Sequence, residues 1–210
     1  MYKMLIPYDT VSQILSSYGI TVNGVLHIGA HECEELAAYT QNGVNPDNII
    51  WIEANPSLVE KMRAAGTPVY NAAISNKEEE VPFYITNNGQ SSSLLKFGTH
   101  AQHYPWCVVS NTITVKTETL QTFIDKHKIH IGNYNFWNLD IQGCELSALI
   151  SAGDNIMSAD AIYCEVNIEE VYEGCALLTD LDTYLSKYNF TRHSISMTGA
   201  GWGDALYIKT

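Results

Sequence analysis

From Val25 onward the chain alternates between short uninterrupted apolar runs and stretches whose apolar residues recur every three or four positions. Val25-Leu26-His27-Ile28 ends at Gly29, and in the following Glu32 to Gln41 segment Leu36, Ala37 and Tyr39 fit one helix face before Asn42-Gly43 stops it. This predicts strand, tight turn, helix. The unit recurs with Ile49-Ile50-Trp51-Ile52-Glu53 as a buried strand and a helix from Pro56 to Ala65, proline being tolerated at a first helical position. Val69-Tyr70-Asn71 is a third strand, Phe136 to Asp140 a fourth and Ala161 to Val166 a fifth, with helices expected over Glu145 to Ser151 and Ala176 to Tyr188.

Apolar strands alternating with helices predict an α/β fold, a mostly parallel sheet covered on both faces. Phe190 to Ile195 and Ala205 to Lys209 flank the Gly-rich stretch 198–203 with no helix between them, so they are expected to close the sheet as an antiparallel hairpin. Ahead of the first strand, Val11, Ile14, Leu15 and Tyr18 predict a short amphipathic helix over about 9–19. A long insertion separates the third and fourth parallel strands, with short strands at Val81 to Ile85 and Thr112 to Lys116 around a polar loop. Loops of that length are uncommon in compact domains unless they serve a function, and 86–112 is taken as the acceptor-binding segment.

The 210 residues are expected to form one domain over 1–210, since ~100–200 residues per domain is the usual size. Lys and Arg number 11 against 23 Asp and Glu, a net charge of -12, which argues against nucleic acid and against an anionic membrane surface. No run approaches the ~20 apolar residues of a membrane span, and the first ten residues lack signal-peptide features. The five cysteines are odd in number and form no Cys-x-x-Cys pair, which suggests reduced thiols and a cytoplasmic location. Oligomeric state is left open.

In open parallel sheets, ligands bind beyond the carboxyl ends of the strands. Here those ends are Gly29-Ala30-His31, Glu53-Ala54-Asn55, Ala72-Ala73-Ile74-Ser75, Asp140 and Glu165. A glycine turn followed by an acid at the end of the next strand suits an adenosine: backbone N–H groups receive one end and the carboxylate takes the ribose hydroxyls. Glu53 follows Gly29 by 24 positions, near the usual ~20. That arrangement alone fits NAD and S-adenosylmethionine equally. The turn separates them, because Gly29-Ala30-His31-Glu32-Cys33-Glu34 has one glycine where a dinucleotide fingerprint has three, and its acids would repel a pyrophosphate. S-adenosylmethionine carries no phosphate and has a cationic sulfur, which an acidic pocket favours.

Four motifs in order, Val25-Leu26-His27-Ile28-Gly29-Ala30-His31, Ile50-Trp51-Ile52-Glu53-Ala54-Asn55-Pro56, Ser91-Ser92-Ser93-Leu94 and Asn138-Leu139-Asp140-Ile141-Gln142-Gly143-Cys144-Glu145-Leu146, resemble the FkbM-type family of S-adenosylmethionine-dependent methyltransferases. The likeness runs from about Gly24 to Lys209. It implies a class I, Rossmann-like seven-stranded sheet whose last strand is antiparallel, and S-adenosyl-L-methionine as cofactor. It further implies that Gly29, Ala30 and His31 approach the methionine moiety, that Glu53 with Ala54 and Asn55 meets the ribose, that Ala73 and Ile74 border adenine, and that Asp140 sits beside the methyl. The chain departs from the family pattern at His27, where Asp is usual, at Cys33 for glycine and at Gln142 for glutamate.

The expected reaction is methyl transfer to a hydroxyl, which needs a base within hydrogen-bond reach. Asp140 is the first candidate, with His100 and His103 of the insertion as alternatives. Ser91, Ser92 and Ser93 with Asn87, Asn88 and Gln90 offer polar partners, and Tyr104 and Trp106 offer flat apolar faces, a combination suited to a sugar or glycoconjugate acceptor. Glu165, an acid near the end of an apolar strand, is assigned to acceptor binding because it needs a partner or a wet cleft. No metal is assigned, although His100 and His103 could join Asp140 or Glu165 around a divalent ion. His27 is read as a core histidine. Two other functions compete: an NAD-dependent oxidoreductase, and a non-catalytic glycan-binding module that keeps the methyltransferase fold.

Overall fold

The structure is a computed structural model and describes residues 4–210. Strands β1 (Val25–Ile28), β2 (Ile49–Glu53), β3 (Val69–Asn71), β4 (Ala73–Ile74), β5 (Glu80–Thr86), β6 (Val109–Glu118), β7 (Phe136–Leu139), β8 (Ala161–Asn167), β9 (Phe190–Met197) and β10 (Trp202–Lys209) alternate with helices α1 (Tyr8–Ser17), α2 (Leu36–Gln41), α3 (Pro56–Ala64), α4 (His100–His103), α5 (Leu120–His127), α6 (Glu145–Ser151) and α7 (Leu178–Ser186). Seven strands form one sheet in the order β3-β2-β1-β7-β8-β10-β9. All neighbours are parallel except β10, which runs antiparallel to β8 and β9. The expected sheet and its closing hairpin are therefore present.

Strand alternation splits the core into two layers. Leu26, Ile28, Ile50, Ile52, Trp137 and Leu139 face one side and pack with Leu120 and Phe123 of α5, Leu149 of α6 and Leu181 of α7. Val25, Ile49, Trp51 and Phe136 face the other and pack with Val11 and Leu15 of α1, Tyr39 of α2 and Val59 of α3. Helices thus cover both faces, and a parallel sheet is apolar throughout for that reason. Among the described residues no helix is long and apolar enough to cross a membrane.

Three elements differ from the sequence expectation. The helix expected from Glu32 starts only at Leu36, because His31 and Cys33 adopt φ of 42° and 54°, left-handed values that no helix continues through. Helix α5 was not anticipated, although Leu120, Phe123 and Ile124 carry its spacing and Thr119 caps it through a bond from Thr122 N–H. The insertion is not loose: β5 and β6 form a hairpin, β4 pairs with Thr117 and Glu118, and the loop between β5 and β6 is bonded to the segment that follows β8. Gly98 N–H and His100 N–H both donate to the Val171 carbonyl, and Phe97 bridges Tyr172. Gly98 passes so close that a Cβ would lie 2.1 Å from the Glu170 carbonyl oxygen.

Candidate active site

Strand order reverses between β1 and β7, and the ends of these two strands meet. Asp140 N–H donates to the Ile28 carbonyl at 2.9 Å. At Gly29, φ is +92° and a Cβ would fall 1.8 Å from the Asp140 carbonyl oxygen, so the glycine is required by both conformation and space. Over this junction opens a cavity of about 920 Å³, part of it continuous with solvent. It is lined by Gly29, Ala30, His31, Glu53, Ala54, Ala73, Ile74 and Asp140, so eight of the nine residues expected to meet the cofactor converge on one space. Asn55 does not line it; its side chain accepts from Ser57 N–H and caps α3.

The N–H groups expected to receive the ligand are committed within the fold. Gly29 and Ala30 both donate to the Ile52 carbonyl, at 2.9 and 3.0 Å, and His31 donates to Glu53 Oε2 at 2.8 Å. Glu53 also accepts from Asn55 N–H at 2.7 Å through Oε1. Two backbone donors thus lock a buried carboxylate at the strand end, and each oxygen keeps a lone pair for a further donor such as a ribose hydroxyl. Burial raises the Glu53 pKa, and the backbone bonds pull it back in part.

Six carboxylates, of Glu34, Glu35, Glu53, Asp140, Glu165 and Asp204, line the cavity, and among the described residues no Lys or Arg does. Burial pushes Glu35 up to about 8 and Asp204 up to about 7. Asp204 Oδ2 accepts from the Leu5 N–H at 2.7 Å and from the Tyr163 hydroxyl. For His31, burial lowers the pKa, but Glu34, 2.8 Å from its Nδ1, outweighs that and the net shift is upward. His27 is buried beside the cavity, and its pKa falls to about 3 through desolvation, so it is neutral. Its Nδ1 lies 3.1 Å from the Tyr39 hydroxyl, which itself accepts from Asn138 Nδ2 at 2.7 Å. The core role expected for His27 fits that network.

A second cavity of about 590 Å³, again including solvent-open space, adjoins the first and is lined by Asn88, Gln90, Ser91, His100, Tyr104, Trp106, Gln142, Glu165, Val171, Tyr172 and Trp202. Gln90, Gln142 and Glu165 line both. Gln142 Nε2 lies 2.6 Å from Asp140 Oδ1 and 2.6 Å from Glu165 Oε2, and its Oε1 accepts from the Tyr172 hydroxyl at 2.5 Å. One neutral amide thus spans two carboxylates at the join. The backbone shape behind this is a tight turn with φ of +55° at Gln142 and +98° at Gly143, held by Glu145, whose carboxylate accepts from Ile141 and Gly143 N–H groups. Glu145 therefore shapes the turn. Burial, then neighbouring Asp140, Glu145 and Asp204, drives the Glu165 pKa well up.

The insertion residues divide. Ser91 faces the second cavity and Ser92 the first, whereas Ser93 is buried outside both and donates to the Gln142 carbonyl at 2.7 Å, tying the insertion to the turn. Tyr104 lines the second cavity and its hydroxyl accepts from Trp202 Nε1 at 3.0 Å. His100 lines it too, stacked on Phe97 at 4.2 Å, with a pKa lowered to about 4 by burial and then by His103. His103, the other candidate base, lies outside both cavities with its Nε2 held 2.9 Å from Glu169 Oε1. Among the described residues no three His, Cys, Asp or Glu side chains are grouped so as to hold a metal ion. Sequence reasoning gave no site role to Gln142 or Tyr172. The signal for Gln142 was its place in the Asp140 motif; Tyr172 had none.

Comparison with known proteins decides among the readings of this site. The model of the methyltransferase FkbM domain matches residues 27–191. The chain belongs to the FkbM methyltransferase family. Among solved structures it is similar to the magnesium protoporphyrin IX methyltransferase of Synechocystis PCC 6803 with bound S-adenosylmethionine, at 11% identity and a TM-score of 0.50, covering 96% of this chain and 77% of that one. It is also similar to the precorrin-6y C5,15-methyltransferase of Geobacter metallireducens GS-15, at 12% identity and a TM-score of 0.49, covering 100% and 93%. At 11% identity the likeness to the Synechocystis enzyme shows a shared fold. A search of curated protein sequences gives no match.

This FkbM-family protein is an S-adenosylmethionine-dependent methyltransferase of class I fold, and the oxidoreductase and non-catalytic readings fall. Its first cavity fits the cofactor chemically. Glu53 offers acceptors that a ribose diol would suit, Ala72, Ala73, Ile74 and Ile141 give an apolar slot that would take a base, and the carboxylates would balance a sulfonium and an ammonium.

Proposed function

We propose that the protein transfers a methyl group from S-adenosylmethionine to a hydroxyl of a sugar or glycoconjugate. The observation that carries this is the second cavity, where Tyr104, Trp106, Tyr172 and Trp202 supply flat apolar faces, Asn88, Gln90 and Ser91 supply neutral hydrogen-bonding groups, and the cavity joins the first at Gln142 and Glu165. A sugar ring presents apolar faces and a polar rim, and such a pocket matches both. The five buried free thiols support a reducing, cytoplasm-like compartment.

When bound, S-adenosylmethionine supplies an electrophilic methyl on a cationic sulfur. In this reading Glu53 holds the ribose, Ala73 and Ile74 border the adenine, and Gly29, Ala30 and His31 flank the methionine moiety. The acceptor ring rests in the second cavity, and holding the two reactants in line contributes most of the acceleration. As the acceptor oxygen bonded to the methyl carbon, the carbon–sulfur bond would break, S-adenosylhomocysteine would leave with its electron pair, and the hydroxyl proton would pass to the Asp140–Gln142–Glu165 array. Gln142 keeps both carboxylates oriented, and a neighbouring cation lowers the raised pKa of Glu165 so that it can accept the proton.

Incubation with methyl-labelled S-adenosylmethionine and a panel of methyl glycosides and oligosaccharides should yield O-methyl sugars and S-adenosylhomocysteine. Glu165→Gln and Asp140→Asn should bind S-adenosylhomocysteine yet turn over roughly 100-fold slower or worse. Labelling of amines or small phenols with no sugar methylated would refute the carbohydrate acceptor.

A further inference from the structure

We infer that the acceptor is an uncharged sugar, and that nucleotide-activated and phosphorylated sugars are excluded. The inference rests on the carbohydrate reading and narrows it.

Phosphate recognition needs Lys or Arg, free backbone N–H groups at a helix start, or a cationic histidine. None of these is available at the second cavity. Its lining contains no Lys or Arg among the described residues, and its one ionisable acid is Glu165. In the turn ahead of α6, the N–H groups of Ile141 and Gly143 are already taken by the Glu145 carboxylate. His100 is uncharged at neutral pH because burial holds its pKa near 4. Toward the outside, the His103 ring is engaged by the Glu169 carboxylate, which also accepts from the Thr99 hydroxyl.

What the cavity does offer suits neutral hydroxyls. His100 is buried, its ring lines the wall, and its Nδ1 has no hydrogen-bond partner among the described residues. An unpaired buried nitrogen costs free energy until a donor or acceptor reaches it, and a ring hydroxyl can serve as either. A phosphate dianion would instead enter a cavity whose lining, among the described residues, holds no cation to neutralise it.

The test uses the full-length protein saturated with S-adenosylhomocysteine, so that a nucleotide cannot occupy the cofactor cavity. Matched sets of methyl hexosides, hexose 1-phosphates and UDP-hexoses are titrated by calorimetry, with tryptophan fluorescence as a second readout. At least one methyl hexoside should bind, and its phosphate and UDP counterparts should bind at least about 10-fold more weakly, because no cation offsets the loss of phosphate hydration. Equal or tighter binding of a phosphorylated form would overturn the inference while leaving a carbohydrate acceptor standing. Binding by none of the three sets would remove the carbohydrate reading and this inference with it.

Discussion

Replacing Gln142 by glutamate, the residue usual in the family pattern, should turn the join between the cavities into a pH-sensitive weakness. In the parent, the Gln142 amide reaches Asp140 and Glu165 at 2.6 Å each and accepts from Tyr172. Gln142→Glu keeps the acceptor side but removes both N–H donors, each bond to an acid being worth ~1.5–3 kcal/mol. An ionised carboxylate there would face repulsion of ~5 kcal/mol from each ionised neighbour at an effective dielectric of ~20. Protonation costs only ~1.4 kcal/mol per pH unit above the ordinary carboxyl value, so the introduced group holds a proton. One carboxylic proton serves one neighbour, so about one of the two bonds is lost, a deficit of ~2 kcal/mol even in acid. Its folded pKa lies above its unfolded value of about 4.3, and the sign follows: the deficit is smallest below that value and grows as pH rises through the folded one. Thermal melts should show Gln142→Glu about 4–8 °C below the parent at pH 5, with a markedly wider gap at pH 8. An equal gap at both pH values, or a variant as stable as the parent, would refute the reasoning about the amide bridge.

Two further outcomes follow from the same geometry. Gly29→Ala should lose at least ~3 kcal/mol, because its Cβ would strike the Asp140 carbonyl, whereas Gly19→Ala, at φ +71° with open space around it, should lose only ~1–2 kcal/mol; equal losses in urea melts would contradict the close approach. Binding of S-adenosylmethionine should tighten as pH rises through the values of Asp204 and Glu35, about 7 and about 8, because a cation favours their ionised forms. S-adenosylhomocysteine lacks the sulfonium charge and should show a shallower rise; parallel affinity-against-pH curves from calorimetry would remove the carboxylates as partners of the sulfur.

Much of the frame was legible because its signals are local. Apolar runs with period-independent burial mark parallel strands, and Glu145 to Ser151 or Pro56 to Ala64 carry helix spacing and caps in a few residues. The positions of Gly29, Glu53, Ala73 and Asp140 at strand ends followed from the rule that such sheets bind ligands there, and the structure brings them to one cavity. Local signals also misled. Nothing in Glu32 to Glu35 reveals that His31 and Cys33 take left-handed φ, and the Glu53 carboxylate that accepts from His31 N–H comes from the next strand.

What the sequence by itself determined is the α/β class, the strand ends and the acidic, single-glycine turn that sets a sulfonium ligand above a pyrophosphate. Only the tertiary structure decided which side chains share a space. Ser93 and His103 sit in the same insertion as Ser91 and His100, yet packing sends the first pair to the Gln142 carbonyl and to Glu169, outside both cavities. Tyr172, Gln142 and Glu165 come from three separate segments, and no periodicity links them. They meet because the end of β8, the β7–α6 turn and the segment after β8 pack against one another, and such long-range contacts depend on every intervening element being in place.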